Sequence, residues 1–264
     1  MRIGGKYMNY WAHKDENNAK AIAHTNEMAI KYFEQITFSS NNTIIYPDEN
    51  AIYKGYSNPR PMIINPNIYI DETDSVSAAF KYNLGRTCIL NFASYTNPGG
   101  KFIEGSSAQE ESLCHESFLY NVLRKHTDFY ATNMNRKNRS LYSNRALYSP
   151  CIIFEHNNMV SAFDVITCAA PNFGAASRYH GVNFNDNDLA MESRINFIFD
   201  ILKDQNIETA ILGAYGCGVF KQNPFVVARL FKKVIETGHN TCNNLIFPIP
   251  GGNNYYAFKQ VFEK

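Results

Sequence analysis

Gln109, Glu110 and Glu111 follow a turn-rich stretch, NPGGKFIEGSSA (97–108), and open a segment with helical periodicity. Two adjacent carboxyls at a helix start can be no more than favourable charges against the helix dipole, worth up to about 1 kcal/mol each. In a cleft and partly desolvated, the same groups could serve as general acid and then general base. Consecutive helical residues point about 100° apart, so one carboxyl can face the packing side while its neighbour faces the cleft. Gly99 and Gly100 allow backbone N–H groups to turn outward and approach a ligand closely, and the following helix start adds partial positive charge. A second loop, GAYGCGVFKQNP (213–224), has the same physical character, and two such loops at one edge would suit a diphosphate. Neither loop has the Gly-Lys-Ser/Thr ending of a P-loop or G-x-G-x-x-G spacing, so neither nucleotide hydrolysis nor a Rossmann site is supported.

The pattern around these loops says how they are positioned. From residue 86, strand-like and helix-like segments alternate: RTCILNFAS (86–94), a helix over 109–126, DVITCAAPN (164–172), a helix over 191–206, TAILGAYGCG (209–218), a helix over 223–237, and NLIFPIP (244–250). The strands are nearly continuous apolar runs, as expected when both faces of a sheet are covered. Helical faces such as Met191, Ile195, Ile198 and Leu202, or Val227, Leu230, Phe231 and Val234, are apolar at the helical period. Asn223 followed by Pro224 reads as a cap and first-turn pair. The alternation predicts a three-layer α/β/α sandwich with a central mixed, largely parallel sheet, whose ligands bind outside the carboxyl ends of the strands. Ahead of it, a helix over 16–35 with Ala19, Ile22, Ala23, Ile30 and Phe33 on its apolar face, a β-like run NTIIYP (42–47) and a proline-bearing loop (47–66) form an N-terminal extension of about residues 1–70. The expectation is one catalytic domain over 1–264 with its core at 86–264.

Composition excludes several classes. Twenty-five lysines and arginines against 24 acidic residues leave a net charge of +1, which gives no long-range pull on nucleic acid or an anionic membrane. No apolar run approaches the roughly 18 residues needed to cross a bilayer, and the first 20 residues lack the apolar core of a secretory signal, so a cytoplasmic protein is expected. The six cysteines contain no C-x-x-C pair and read as buried thiols, with neither zinc nor a disulfide framework. Cys114 and His115 are adjacent on one helix and face different directions, which argues against a nucleophilic thiol pair.

LNFASYTNPGGKFIEGSSAQEESLCHES (90–117) together with GAYGCGVF (213–220) resembles the microbial-type poly(ADP-ribose) glycohydrolases, which have a macrodomain fold and a motif of three glycines, a short spacer and Gln-Glu-Glu. LYSP (147–150), VITCAAPN (165–172) and IPGGNNYYAF (249–258) extend the resemblance over most of the chain from residue 86. The resemblance implies that Glu111 protonates the departing ribose oxygen and then activates water. Glu110 would grip hydroxyls of the terminal ribose, and Gln109 would fix the loop. It further implies that Asn97, Gly99 and Gly100 pass close to the distal ribose and diphosphate. Gly213, Ala214, Tyr215, Gly216, Cys217, Gly218 and Val219 would wrap the diphosphate, with Phe220 against the ribose and Tyr255, Tyr256 or Phe258 stacked on adenine. The implied substrate is poly(ADP-ribose) or an ADP-ribosylated macromolecule, the product ADP-ribose, and no metal or cofactor takes part; no nucleic acid is bound directly. Lys101 stands where the family has its third glycine. That departure, with FKQNP continuing the second loop, keeps two alternatives in view: a catalytically weak ADP-ribose-binding macrodomain, and a mono-ADP-ribosyl hydrolase.

Overall fold

The computed structural model describes residues 14–48, 50 and 60–263. The start of the chain and half of the proline-bearing loop, Pro59 included, lie outside the described residues. Seven strands form one sheet: β1 (Ile44–Tyr46), β2 (Asn67–Asp71), β3 (Thr87–Phe92), β4 (Ala146–His156), β5 (Met159–Cys168), β6 (Thr209–Ile211) and β7 (Asn244–Pro248), in the order β1-β4-β5-β3-β6-β7-β2. β5, β3, β6, β7 and β2 run parallel to one another, whereas β1–β4 and β4–β5 pair antiparallel, so the sheet is mixed, as predicted. β3 at the centre shows why its sequence is apolar throughout. Cys88 and Leu90 pack into the core on one face and Ile89 into the core on the other, as the two-residue period of a strand requires. By the same parity, the one polar residue of its second half, Asn91, is fully buried on the Ile89 face.

Three helices, α8 (Phe184–Asp204), α9 (Pro224–Glu236) and α10 (Gly252–Phe262), cover the Leu90 face. The opposite face carries α1 (Lys14–Lys31), α2 (Phe33–Asn41), α3 (Ser75–Lys81), α4 (Gln109–His115), α5 (Leu119–Leu123) and α6 (Thr127–Met134). α7 (Phe173–His180) follows β5 directly.

Several sequence-based expectations need correction. The helix over 109–126 is two helices, because the Ser117 hydroxyl bonds the Leu113 carbonyl and the Leu119 N–H while the Glu116 carbonyl accepts from Glu155 of β4. A serine that competes for backbone partners, with a strand alongside, ends the helix. The strand over 209–218 stops at Ile211, since Gly213 turns the chain with φ +74°. The β4 half of the β4–β5 hairpin has no counterpart among the expected strands. Pro150 cannot donate to the ladder and sits in a bulge between Ser149 and Ile152, and the turn is formed by Asn157 and Asn158 at positive φ rather than by a glycine pair. Cys151, in that bulge, is exposed rather than a buried thiol.

The expected face of the first helix is also wrong. Ile22, Ile30 and Phe33 are exposed, and Ala21, Thr25 and Met28 are buried. What decides the rotation is polar: the Asn18 amide donates to the Ile103 carbonyl (2.5 Å), His24 Nε2 sits 3.1 Å from the Ser117 carbonyl, and the Asn121 amide donates to the Thr25 carbonyl (3.0 Å). The extension therefore braces the loop between β3 and α4. Gly105 marks the closest approach: its φ is +81°, and a Cβ there would stand 2.3 Å from Asn17 Cβ. Gly105→Ala is expected to cost about 1–3 kcal/mol through strain and clash, measured by urea unfolding; an unchanged midpoint would show that α1 does not clamp this loop.

Candidate active site

The ligand loops of this fold leave from the carboxyl ends of β3, β6, β7 and β2, and all lie along one edge of the sheet. The loop after β3 folds back so that α4 starts beneath it. Gln109 ties the two together: its side-chain oxygen accepts from the Phe92 N–H (2.8 Å) and its amide donates to the Leu90 carbonyl and the Ser75 hydroxyl.

Glu110 and Glu111 are both buried, at 3% and 6% exposure. One oxygen of Glu110 accepts from the Ser94 N–H (2.6 Å) and the other from the Asn91 amide (3.2 Å), which also reaches Thr167 of β5. Oε1 of Glu111 accepts from the Lys101 N–H (2.8 Å), and its Oε2 is a buried acceptor with no partner among the described residues. Gly100 sits over both. With φ +62°, a Cβ at this position would stand 2.5 Å from Glu111 Oε1 and 2.9 Å from Glu110 Oε2. The two carboxyls thus converge on a point that only glycine leaves open. Gly99, at φ +66°, packs against Tyr120 in the same way.

Burial pushes the Glu110 carboxyl up to about 8, and the Glu111 charge adds to the rise, against the pull of the Ser94 N–H and the Asn91 amide. The Glu110 carboxyl therefore keeps its proton at neutral pH. This has a consequence for stability. The folded carboxyl binds its proton more tightly than the unfolded chain with its ordinary value near 4.5, so the contribution is complete below about 4.5 and is lost as pH rises towards 8. Between pH 5 and 8.5 the wild type is expected to lose on the order of a few kcal/mol relative to Glu110→Gln. A constant difference between the two urea midpoints over that range would contradict the assignment.

The second loop is locked from behind. A Cβ on Gly216 would meet Ala170 and Gln222 at 2.9 Å, and Gln222 donates to the Pro171 carbonyl (2.8 Å). The Tyr215 side chain is fully buried, with its hydroxyl on the Cys168 carbonyl and its ring edge-on to Phe92, so this residue offers only backbone to a ligand. Burial pushes the Cys217 thiol up to about 12 and leaves it no thiolate. The backbone N–H groups of Gly218, Val219 and Phe220 have no acceptor among the described residues, and nothing stands within 4 Å of a Cβ built on Gly218. Successive outward N–H groups of this kind form an anion-binding concavity.

A cleft of about 300 Å³ joins the two loops, lined by Gln109, Ala214 and Gly218 with Phe92, Asp74, Val76, Ile249 and Asn254. Glu110 and Glu111 lie beside it under Gly100 rather than in its wall. Asn97 is exposed at the turn, its N–H on the Ser94 hydroxyl. Lys101 leaves the carboxyls clear: its backbone serves Glu111, and its side chain is exposed with Nζ 3.8 Å from Glu104. Of the aromatics suggested for adenine, Phe258 is fully buried against Phe231, Phe247 and Phe262 and cannot stack on a ligand. Tyr255 packs against the core, and Tyr256 is exposed beside Phe225. Asn91, Ser94, Thr167 and Asp74 were missed. The signal for Asn91 was present, as a lone amide inside the apolar strand TCILNF. Asp74, the cap of α3 at the cleft wall, had none beyond its cap spacing.

The mixed sheet with its loops gathered at one carboxyl edge is a macrodomain-type α/β fold. Residues 15–156 match the family described as microbial-type PARG, catalytic domain, and the chain belongs to this family of poly(ADP-ribose) glycohydrolases, which are glycosidases. The chain is similar in structure to poly(ADP-ribose) glycohydrolase from Thermomonospora curvata, at 23% identity over 94% of this chain and 100% of that one, with a TM-score of 0.80. A structure of the same protein bound to the inhibitor ADP-HPD gives 23% identity, 93% and 99% coverage, and 0.81. Poly(ADP-ribose) glycohydrolase from Deinococcus radiodurans in complex with ADP-ribose gives 23% identity, 86% and 97% coverage, and 0.74. No curated protein matches the chain. No described helix is long and apolar enough to cross a membrane.

Proposed function

We propose that Glu111 is the general acid and base of a glycosidase that releases ADP-ribose from poly(ADP-ribose), with Glu110 as its partner carboxyl. The observation that carries this reading is the convergence of two buried carboxyls beneath Gly100. Carboxyls that meet at one point cannot flank a sugar from opposite faces, so one group must serve in both half-reactions. Glu111 has the unpartnered oxygen, whereas both oxygens of Glu110 are engaged by Ser94 and Asn91. Movement of the Gly99–Lys101 turn admits the ribose. Glu111 then gives its proton to the glycosidic oxygen, the bond to the anomeric carbon breaks as an oxocarbenium-like sugar forms, and the resulting carboxylate takes a proton from the attacking water.

Glu110 accepts hydroxyls of the terminal ribose, and the Gly218–Phe220 N–H groups hold the diphosphate. Asn97, Gly99 and Gly100 border the ribose, and Gly213 to Cys217 shape the second loop from behind, with Phe220 as the ribose wall. The cleft between Phe92, Val76 and Ile249, with Asp74 and Asn254 at its rim, takes adenine in place of the C-terminal aromatics. The chain acts as one catalytic domain, and its site of action is the cytoplasm. The experiment is release of free ADP-ribose from purified polymer and, in parallel, from a mono-ADP-ribosylated protein. Release from polymer is expected. Release only from the mono-modified protein would shift the substrate, and tight ADP-ribose binding without release from either would leave a binding module.

A further inference from the structure

We infer that the surface beside the second loop is a track for the polyanionic part of the substrate on the leaving side of the scissile bond, an inference that rests on the glycohydrolase reading. Residues 136–144 and 173–190, which meet where Leu141 packs on Ala176 and Val182, carry Arg136, Lys137, Arg139 and Arg178, with Lys221 adjoining them; their acidic residues are Asp186 and Asp188. This is a local excess of positive charge in a chain whose net charge is only +1. All five cationic residues are exposed. Among the described residues, only Arg139 of the five faces a carboxylate at contact range, Asp186 at 3.9 Å, and both side chains are about half exposed. Tyr179, at 71% exposure, lies beside the Arg178 guanidinium, 6.0 Å from its ring centre.

The track begins at the carboxyl pair. Ser94 holds Glu110, and the next residue, Tyr95, stacks on Tyr142 with ring centres 4.2 Å apart, which in turn meets Phe220 of the second loop at 6.1 Å. Tyr95 also fixes the basic segment, donating from its hydroxyl to the Arg136 carbonyl and accepting from the Ser143 N–H. Lys221 follows Phe220, whose carbonyl accepts from the Gly174 N–H at the start of α7.

The segment is also built to hold one shape. Asn138, Arg139, Ser140 and Tyr142 all have positive φ, at 42°, 51°, 66° and 63°. Non-glycine residues keep such conformations only where their surroundings impose them, and these clusters occur at ligand clamps. Here the Ser140 carbonyl accepts from Asn172, Leu141 packs on Ala176 and Val182, and Arg194, 1% exposed, spends its guanidinium on the carbonyls of Ala169 and Leu141 and on Asn144. A rigid basic strip with an exposed ring suits a chain whose repeating unit has two phosphates and a base with a π-face. A neutral sugar or an acidic peptide would leave one half of that chemistry unused.

The test uses the whole chain, with Lys137→Ser/Arg139→Ser/Arg178→Ser combined, and Tyr179→Ala separately. With long polymer the triple variant is expected to raise KM about tenfold and to lower the salt slope of KM by about 2, as loss of three phosphate contacts to a single strand implies. Tyr179→Ala should raise KM about fivefold or more by loss of base stacking. Both should leave kcat, ADP-ribose affinity by calorimetry and the melting temperature unchanged. Wild-type cleavage with KM and salt slope unaltered in the variants would overturn the track while leaving the glycohydrolase reading intact. If the wild type did not cleave polymer, that reading would fall, and equal filter retention of polymer by wild type and triple variant would overturn the track as well. Single-stranded DNA retained as tightly as polymer, and lost with the same residues, would reassign the strip to nucleic acid.

Discussion

Glu111→Gln is expected to reduce ADP-ribose release from polymer by about 10³-fold or more, the range over which a general acid and base contributes, while ADP-ribose affinity changes little. The substitution is nearly isosteric and keeps an oxygen for the Lys101 N–H, so the turn above it has no reason to move. What disappears is the transferable proton. Glu110→Gln separates the roles: it loses one acceptor oxygen for ribose hydroxyls beside the acid, so KM is expected to rise together with a fall in kcat. Single-turnover release by both variants, with calorimetry of ADP-ribose alongside, distinguishes them. Hydrolysis retained in Glu111→Gln and lost in Glu110→Gln would transfer the acid to Glu110.

Gly100→Ala is expected to have an effect of similar size by a different route. A methyl group at φ +62° is strained in itself, and this one would sit within 2.9 Å of an oxygen from each carboxyl. Either the turn lifts or the carboxyls are displaced from their N–H partners, and a shift of about 1 Å at reacting groups can cost about 10²-fold in rate. Stability should fall by about 1–3 kcal/mol at the same time. Lys101→Gly provides the contrast: its side chain is exposed and clear of the carboxyls, so polymer cleavage should stay within about threefold of wild type by the same geometric criterion. A Gly100→Ala protein with normal kcat would mean that the turn is elsewhere when the sugar is bound.

The chemistry was more legible in the sequence than its framing. Gln109, Glu110 and Glu111 behind a double glycine, and a second glycine loop at a strand end, are local signals, because turns and helix starts are written in neighbouring residues. The central strands themselves were legible as apolar runs, though not their order in the sheet. What escaped the sequence depends on partners distant along the chain. Ala21, Thr25 and Met28 face inward because Asn18 and His24 meet carbonyls 85 and 93 residues away. The β4 strand is interrupted by Pro150, and its bulge is held by the Cys151 N–H on Asp164. Asn91 reads as a misplaced amide until Glu110 and Thr167 stand beside it. Phe258 stands among the aromatics suggested for adenine, yet it fills the core between α9 and β7.

The most direct measurement is kcat/KM for polymer hydrolysis from pH 5 to 9.5, which reports the protonation of the free enzyme. Glu110, protonated up to about 8, predicts a kcat/KM that is level through neutrality and falls by about tenfold per pH unit above that point as a second charge appears beside Glu111, with that limb lost in Glu110→Gln. A rate that stayed level or rose through pH 9.5 would contradict the account, because ionisation of Glu110 beside the acid would then leave the reaction untouched.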